Sequence, residues 1–330
     1  MQYRKFGNTS LQVSEIGFGA WAIGGAAMIG NTAIGWGDTD DQVSEQAIHR
    51  ALDNGINFFD TADIYGLGHS EELLGKLINE RKDVVIATKV GNVSRNEQFT
   101  VDYSKQYMLQ ACETSLKRLR RDVIDCYQLH TARMVHLQQG ECVEAMQLLQ
   151  QQGKIRYWGL SLNTFEPDAE AEYLLNNQLG SGFQLVLNII NQRALPLVKK
   201  AADAGYGIIA RMPLQFGLLT GKFTRQTNFG TDDHRSFRLT PSILQHTLAV
   251  LEEKVWPIAL KTKMSKTALA LSFILSYPSV STVIPGIRTE EHVVQNTSGL
   301  QSLDPSDLEL LQSMSASDWV PVLEEMERQG

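Results

Sequence analysis

The sequence has few cysteines and no pattern that would bind a structural metal. Its 330 residues include three cysteines, Cys112, Cys126 and Cys142, and neither a Cys-x-x-Cys pair nor a histidine-rich stretch. An odd number of isolated cysteines argues against a disulfide framework, and a zinc site is not expected without ligand spacing. We therefore predict three core thiols and no metal ion.

Long apolar runs and an excess of positive charge are also missing. No run of 18 or more apolar residues exists, and the stretch from Met1 to Lys5 lacks the apolar segment of a signal peptide. The formal net charge of −7 argues against nucleic acid or an anionic membrane as a partner. We expect a cytoplasmic protein that binds a small molecule, with room for one local basic pocket for a phosphorylated cofactor. The sequence carries no pattern that determines an oligomeric state.

No Gly-x-Gly-x-x-Gly follows a strand-like segment, so a nucleotide is not expected to bind in the Rossmann manner. No linker or low-complexity stretch divides the chain either. With 43% hydrophobic and 20% charged residues, the chain can bury a large core. Length alone is compatible with one barrel or with two smaller domains.

What the sequence does contain is a regular alternation of short apolar strands and amphipathic helices. A hairpin over 3–13 is predicted to form a small lid or plug, and a long glycine-rich loop over 21–37 follows the first strand. The predicted strands cover 16–20, 56–60, 84–89, 123–130, 155–160, 183–187, 207–210 and 282–284. The predicted helices cover about 39–53, then 70–78, 104–119, 140–151, 167–176, 195–204, 241–263, 266–277 and 290–297. This alternation favours a single closed parallel (β/α)₈ TIM barrel over 1–330, with an N-terminal β-hairpin and extra C-terminal helices, rather than an open doubly wound sheet.

Three consecutive predicted strands end in ionisable residues, Asp60, Lys89 and His130. The carboxyl ends of barrel strands carry the active sites of this fold, and neighbouring strands lie about 5 Å apart. Asp60 therefore either pairs with Lys89 across the rim or stays solvated there. Tyr65, one loop beyond Asp60, would bend over the pair, and the ammonium is expected to lower the pKa of the phenol. Taken singly, each of these residues has an ordinary structural explanation; together they predict an acid–base site.

At these positions the sequence resembles the aldo-keto reductase family, over roughly residues 3–300. The matching stretches are Phe59-Asp60-Thr61-Ala62-Asp63-Ile64-Tyr65-Gly66, Thr88-Lys89-Val90 and Leu129-His130. The resemblance implies a (β/α)₈ barrel with an extended nicotinamide cofactor across its mouth. It also implies that Tyr65 gives a proton to the carbonyl oxygen, that Asp60 and Lys89 tune the acidity of Tyr65, and that His130 orients the carbonyl.

The resemblance also implies a set of cofactor contacts. Ser161 and Gln184 would hold the nicotinamide carboxamide, whereas Asn163 stands one position beyond the Asn of the family. Arg211 replaces a stacking Tyr of many members, and would stack as a guanidinium or bind diphosphate. The remaining implied cofactor contacts are Pro213 and Leu214, then Gly217 and Leu219 in a loop that covers the diphosphate, Arg288 for a 2′-phosphate, and Gln295 and Asn296 at the adenosine end. NADP(H) is therefore the expected cofactor, with NAD(H) as the alternative.

The apolar residues near the mouth are candidates for the substrate wall: Trp21, Trp36 and Phe216. For Trp36, packing of the first loop explains the residue at least as well. We predict an NADPH-dependent oxidoreductase that interconverts an aldehyde or ketone and the corresponding alcohol. Two alternatives stay open, a cofactor-binding regulatory subunit that senses redox state and a barrel aldolase with Lys89 as a Schiff-base amine.

Overall fold

The computed structural model describes residues 1–230 and 233–329. Its strands are β1 (Tyr3–Lys5), β2 (Gln12–Ser14), β3 (Phe18–Gly19), β4 (Met28–Ile29), β5 (Thr32–Ala33), β6 (Phe58–Asp60), β7 (Val85–Val90), β8 (Asn92–Arg95), β9 (Gln98–Val101), β10 (Ile124–His130), β11 (Ile155–Ser161), β12 (Gly182–Val186), β13 (Gly207–Arg211) and β14 (Thr282–Ile284). Eight of them form one parallel sheet in the order β14-β13-β12-β11-β10-β7-β6-β3. Its two edges meet, because the Gly17 N–H donates to the Val283 carbonyl at 2.8 Å and the Gly19 N–H to the Pro285 carbonyl at 3.0 Å. The predicted (β/α)₈ barrel is confirmed.

Helices surround this sheet. They are α1 (Asp41–Asp53), α2 (His69–Ile78), α3 (Lys105–Leu119), α4 (Met134–Gln139), α5 (Glu141–Gln151), α6 (Asp168–Asn176), α7 (Leu195–Asp203), α8 (Arg235–Arg238), α9 (Pro241–Val250), α10 (Trp256–Thr262), α11 (Lys266–Leu275), α12 (Glu290–Thr297), α13 (Pro305–Ser313) and α14 (Val320–Gln329). Within the described ranges, no helix is long and apolar enough to cross a membrane.

The structure adds short elements that the sequence pattern did not reveal. The glycine-rich first loop contains the hairpin β4–β5, and β7 leads into a second hairpin, β8–β9. Strands of two to four residues are too short to show a period of two. The predicted helix over 241–263 is instead two helices, α9 and α10, joined by a π-helical turn at Leu251–Val255. Pro257 lies just after this turn and has no N–H to continue an α-helical ladder.

The hairpin β1–β2 closes the amino end of the barrel. Phe6, between the two strands, is 1% exposed, and its ring fills the space beside Gly182 and Gly207, where an added Cβ would come within 2.5 and 2.4 Å of it. Phe58 of β6 packs on Phe6 from inside the barrel, with 6.5 Å between ring centroids. The hairpin is therefore a plug, and the carboxyl end of the barrel is the open one. The predicted core thiols are confirmed: Cys112, Cys126 and Cys142 are buried and unpaired, and each packs in a hydrophobic cluster of the core.

Candidate active site

The open end of the barrel holds a cavity of about 720 Å³. Five side chains on its wall come from five of the eight barrel strands: Asp60, His130, Ser161, Gln184 and Arg211. The parallel register aligns three of them, since His130 is paired with Ser161 and Ser161 with Gln184. Residues far apart in sequence thus converge because parallel strands end at the same edge.

Asp60 and Lys89 form a buried ion pair beneath this cavity. The Lys89 side chain has no exposed surface, and its Nζ donates to Asp60 Oδ2 at 2.6 Å, to the Thr61 carbonyl at 2.8 Å and to Tyr65 Oη at 3.2 Å. An ammonium group has three donors, so all three are satisfied here. The second carboxylate oxygen, Asp60 Oδ1, accepts from Gln184 Nε2 at 2.7 Å. Direct hydrogen bonds therefore offset the desolvation cost of burying both charges.

The pKa of Tyr65 departs from the expectation. Burial raises the pKa of the phenol above its ordinary value, and Lys89 offsets only part of this rise. The prediction that the ammonium lowers this pKa is thus wrong in its net direction, because the loss of hydration outweighs the charge. Burial by itself lowers the pKa of Lys89, but Asp60 and Tyr65 raise it above its ordinary value. Both groups hold their protons at neutral pH.

His130 faces the Tyr65 ring edge-on, with 5.9 Å between centroids. Its pKa lies well below the ordinary value because of burial, reinforced by the charges of Lys89 and Arg211. The imidazole is therefore neutral at neutral pH. Among the described residues, His130 Nδ1 is buried without a hydrogen-bond partner. The tyrosine proton and a neutral imidazole thus share one corner of the cavity.

A close contact between two backbone segments positions Tyr65. Gly66 has a φ of +60°, and a Cβ on it would lie 2.1 Å from the Gly24 carbonyl oxygen. A Cβ on Gly24 would likewise lie 2.8 Å from the Gly66 nitrogen. Two glycines therefore let the first loop and the Tyr65 loop touch. As a result, Trp21 stacks on Tyr65, with 5.8 Å between the ring centroids and 22° between the planes.

The side chains predicted to hold a carboxamide are only partly together. Ser161 and Gln184 line the cavity, but Asn163 does not. Asn163 Oδ1 instead accepts the backbone N–H groups of Phe165 at 2.9 Å and Glu166 at 3.0 Å. The residue shapes its own loop because a short amide side chain readily bonds the backbone two or three residues on. A side-chain contact from Asn163 to a cofactor is therefore not supported.

Arg211 is fixed at the reacting corner of the cavity. Its Nη2 donates to the Leu162 carbonyl and to Thr164 Oγ1, each at 3.1 Å. Within the described part of the chain, Arg211 Nε is buried without a partner. Burial lowers the pKa of the guanidinium, while Tyr65 and Asp60 raise it. Arg211 thus lines the cavity as a cation held by the loop that follows β11.

The other predicted cofactor contacts divide between wall and core. Pro213, Leu214 and Gly217 line the cavity, as do Arg288, Gln295 and Asn296. Leu219 has no exposed surface, packs in the main hydrophobic core and does not line the cavity. Asn296 is 3% exposed, and its Nδ2 has no partner among the described residues.

Arg288 makes contacts that the sequence did not indicate. Its Nη1 donates to the Trp36 carbonyl at 3.2 Å and its Nη2 to the Asp38 carbonyl at 2.6 Å. Arg288 therefore ties the first loop to the segment after β14. The side chain still lines the cavity, so the same guanidinium contacts the first loop and faces the cavity.

The three predicted wall residues, Trp21, Trp36 and Phe216, all line the cavity. Trp36 meets Trp21 edge-on, with 5.4 Å between centroids, so it packs the first loop and forms the wall at once. Trp36 thus packs the first loop and lines the cavity, and its contact with a substrate stays a prediction.

Sequence reasoning missed the segment that closes this wall. His234, Arg235 and Arg238 line the cavity from around α8, and Met326 reaches it from α14. His234 stacks on Trp21 with 4.8 Å between centroids. No strand end marks this segment, and its only signal is the dense run of cationic and aromatic residues from 234 to 238.

Comparison with known proteins decides the family. The profile of the Aldo/keto reductase family matches residues 15–316. The chain belongs to the aldo-keto reductase family. It is 32% identical to aldo-keto reductase YhdN of Bacillus subtilis (strain 168), with 96% of each chain covered. It is 28% identical to the NADH-specific methylglyoxal reductase of Escherichia coli (strain K12), with 94% of this chain and 97% of the relative covered. The solved structure of the glycerol dehydrogenase AKR11B4 from Gluconobacter oxydans matches with a TM-score of 0.79 and 30% identity, over 97% of this chain and 96% of that one.

Proposed function

We propose that this oxidoreductase transfers hydride reversibly between a nicotinamide cofactor and an aldehyde or ketone, with Tyr65 as the proton donor. The observation that carries the proposal is the chain of hydrogen bonds from Asp60 through Lys89 Nζ to Tyr65 Oη, at 2.6 and 3.2 Å. This chain leads to a phenol on the wall of the cavity and beside His130. Family membership supports the reaction type, and the geometry supports the residue roles.

The raised pKa of Tyr65 keeps the phenol protonated at neutral pH, so that it can act as a proton donor. As the carbonyl oxygen gains negative charge, Tyr65 gives up its proton, and the ammonium 3.2 Å away stabilises the phenolate that results. Asp60 acts through Lys89, since it keeps the buried ammonium charged. His130, being neutral, donates a hydrogen bond that orients the carbonyl.

The walls of the cavity fit a nicotinamide dinucleotide. When bound, this cofactor supplies the hydride that reaches the carbonyl carbon. Ser161 and Gln184 offer polar groups near Tyr65, and the unpartnered amide nitrogen of Asn296 offers a donor at the other end. Pro213, Leu214 and Gly217 form the wall between these ends. The presence of all these residues on the wall of one cavity supports a single site for an extended cofactor.

We further propose a preference for NADPH over NADH, because Arg288 offers a guanidinium at the adenosine end of the cavity. The Escherichia coli relative is named as specific for NADH, so family membership does not determine the preference between NADPH and NADH. Steady-state kinetics with NADPH and NADH at one aldehyde measure it directly. A kcat/KM for NADH equal to or above that for NADPH would contradict the preference.

The Tyr65→Phe variant tests the role of the phenol. General acid catalysis contributes about 10²–10⁴-fold, so single-turnover oxidation of NADPH by an aldehyde should slow by at least that range. NADPH affinity, measured by fluorescence titration, should stay within a few-fold. Tyr206→Phe is the matched control, because Tyr206 bonds the Leu174 and Leu179 carbonyls outside the cavity. Near-parental hydride transfer in Tyr65→Phe would overturn the assignment.

The same assays separate the two alternatives. NADPH binding without turnover on any carbonyl would favour a regulatory, redox-sensing subunit. Covalent trapping of a carbonyl substrate on Lys89 by borohydride would favour an aldolase. The geometry weighs against the aldolase, since all three donors of the Lys89 ammonium are engaged and its side chain has no exposed surface.

A further inference from the structure

The turn that follows β10 has a strained backbone next to His130. Thr131 has a φ of +71°, a conformation that a β-branched residue rarely adopts. The Thr131 N–H donates to the Leu129 carbonyl at 3.0 Å, so the chain turns tightly at His130 itself. A strained backbone of this kind persists only where its surroundings hold it. The position of the imidazole therefore depends on the groups that fix this turn.

A buried hydrogen bond from Tyr103 fixes the turn. Tyr103 Oη donates to the His130 carbonyl oxygen at 2.6 Å, and Tyr103 is only 6% exposed. Burial raises the pKa of this phenol above its ordinary value, so Tyr103 keeps the proton that it donates. The hydrogen bond thus ends on the backbone of the residue that carries the imidazole.

Packing holds the Tyr103 ring in place. Gly91, the residue after β7, has a φ of +122°, and a Cβ on it would lie 2.2 Å from the Tyr103 ring. The His136 ring of α4 also packs on Tyr103, with 4.6 Å between the centroids and 45° between the planes. The backbone N–H of Asp102 donates to the Gly91 carbonyl at 2.8 Å, which fixes the segment that carries the tyrosine. Tyr103 therefore connects the end of β7 with the end of β10.

The orientation of the His130 ring depends mainly on this backbone. Within the described part of the chain, His130 Nδ1 has no hydrogen-bond partner, so no protein group holds the ring through that atom. The ring approaches Tyr65 edge-on, at 5.9 Å between centroids, and a contact of this kind has little directional strength. Tyr103 itself does not line the cavity. Its effect on a substrate would therefore pass through His130.

We propose that Tyr103 is a positioning residue for carbonyl reduction, because its hydrogen bond holds the His130 backbone so that the imidazole reaches the carbonyl oxygen beside Tyr65. The inference rests on the proposed function and adds a residue that acts through His130. A misplacement of about 1 Å can cost roughly a hundredfold in rate. A tyrosine that only packs in the core would affect stability and leave hydride transfer unchanged.

Tyr103→Phe tests the proposal, because it removes one hydroxyl group and keeps the ring that packs on Gly91 and His136. Single-turnover oxidation of NADPH by an aldehyde should slow by about five- to thirtyfold, the range for a buried acceptor that loses its donor. NADPH affinity should stay at the parental value, since Tyr103 does not line the cavity. Tyr206→Phe is the matched control: it also removes a buried phenol that donates to a backbone carbonyl, at 2.9 Å, and should keep parental hydride transfer.

A double variant shows whether Tyr103 acts through His130. In the His130→Ala background, Tyr103→Phe should cause no further loss of rate, because the imidazole that it positions is absent. An equal loss in the parent and in His130→Ala would assign Tyr103 a general structural role and overturn the proposal. Parental hydride transfer in Tyr103→Phe would overturn it as well.

NMR spectroscopy tests the same contact without turnover. The imidazole Cε1–Hε1 signal of His130 is identified by its absence in His130→Ala. Tyr103→Phe should shift this signal, whereas Tyr206→Phe should leave it in place, and an unmoved signal in Tyr103→Phe would contradict the proposal. No reduction of any carbonyl by the parent would refute the proposed function itself, and the NMR signal would then still decide whether Tyr103 holds His130.

Discussion

At the scale of single residues, the Asp60–Lys89 pair determines the electrostatics of the candidate site. Neither side chain has more than 4% exposed surface, so each charge depends on the other rather than on water. The folded-state pKa of Lys89 lies above its ordinary value. The stabilisation that comes with this shift is complete at neutral pH and is lost as the pH rises through the folded-state pKa.

Asp60→Asn should leave a buried ammonium without its counter-charge. We expect the free energy of unfolding at pH 7 to fall by about 3–5 kcal/mol in urea titrations, together with a large loss of turnover. Without the carboxylate, burial should lower the pKa of Lys89 below its unfolded value. The stability of the variant should then rise as the pH increases from about 8 to 10, a range in which the contribution of the pair in the parent is still complete.

The double variant Asp60→Asn/Lys89→Met is the control for this prediction. It removes both charges, so stability should recover and the rise of stability with pH should vanish, while activity stays low. Parental stability and an unchanged pH trend in Asp60→Asn would mean that the ion pair has little energetic weight.

At the scale of elements, short irregular segments rather than helices and strands complete the site. The strands fix the order of Asp60, His130, Ser161 and Gln184 around the rim. The 3₁₀ turn at Tyr65–Gly68, which carries the Tyr65 phenol to the cavity, touches the turn at Ala20–Gly24 through two glycines. Loop-to-loop contact is thus part of the catalytic geometry that we propose.

Gly66→Ala should disturb this contact. The added Cβ would lie 2.1 Å from the Gly24 carbonyl oxygen, and a φ of +60° disfavours L residues. We expect turnover to fall at least tenfold and the free energy of unfolding to fall by about 1–3 kcal/mol.

Gly153→Ala is a matched control, since Gly153 has a φ of +72° and nothing within 4 Å of an added Cβ. It should lose about 1 kcal/mol of stability through its backbone alone and keep parental turnover. Equal turnover in the two variants would show that the contact between the loops does not position Tyr65.

At the scale of the whole molecule, we propose that residues 1–330 form one domain. The main hydrophobic cluster extends from Ile16 to Met326 and includes residues of the barrel and of the helices around it. The plug adds a second cluster, in which Phe6 and Val13 meet Phe58 and Ile209 from inside the barrel. A chain with continuous packing of this kind should unfold in one transition.

Phe6→Ala should lower stability without affecting the active end. Removing a buried phenylalanine costs about 3–5 kcal/mol, and the plug lies at the opposite end of the barrel from the cavity. Thermal unfolding followed by circular dichroism should show one transition at a lower temperature, with parental kcat for the folded protein. Leu260→Ala is the control: Leu260 is 83% exposed, so its loss should change stability by less than about 0.5 kcal/mol. Two separate transitions in either protein would contradict the single domain.

The sequence by itself determined the barrel and the positions of its ionisable strand ends. Eight apolar segments alternate with helical ones. This alternation can be recognised in the sequence alone because each strand and helix must bury one face. Asp60, Lys89 and His130 could be placed for the same reason, since residues that end parallel strands meet at one rim.

Tertiary structure alone decided how those residues behave. The net direction of the Tyr65 pKa depends on how deeply the phenol is buried, which no local pattern shows. Asn163 turned to its own backbone, Leu219 entered the core, and Arg288 bound the first loop through contacts made 250 or more residues apart. The position of His234 and Arg238 on the cavity wall also depends on tertiary packing. The helix α8 has only four residues and lies outside the strand–helix repeat, so its hydrophobic pattern cannot predict that it lines the cavity.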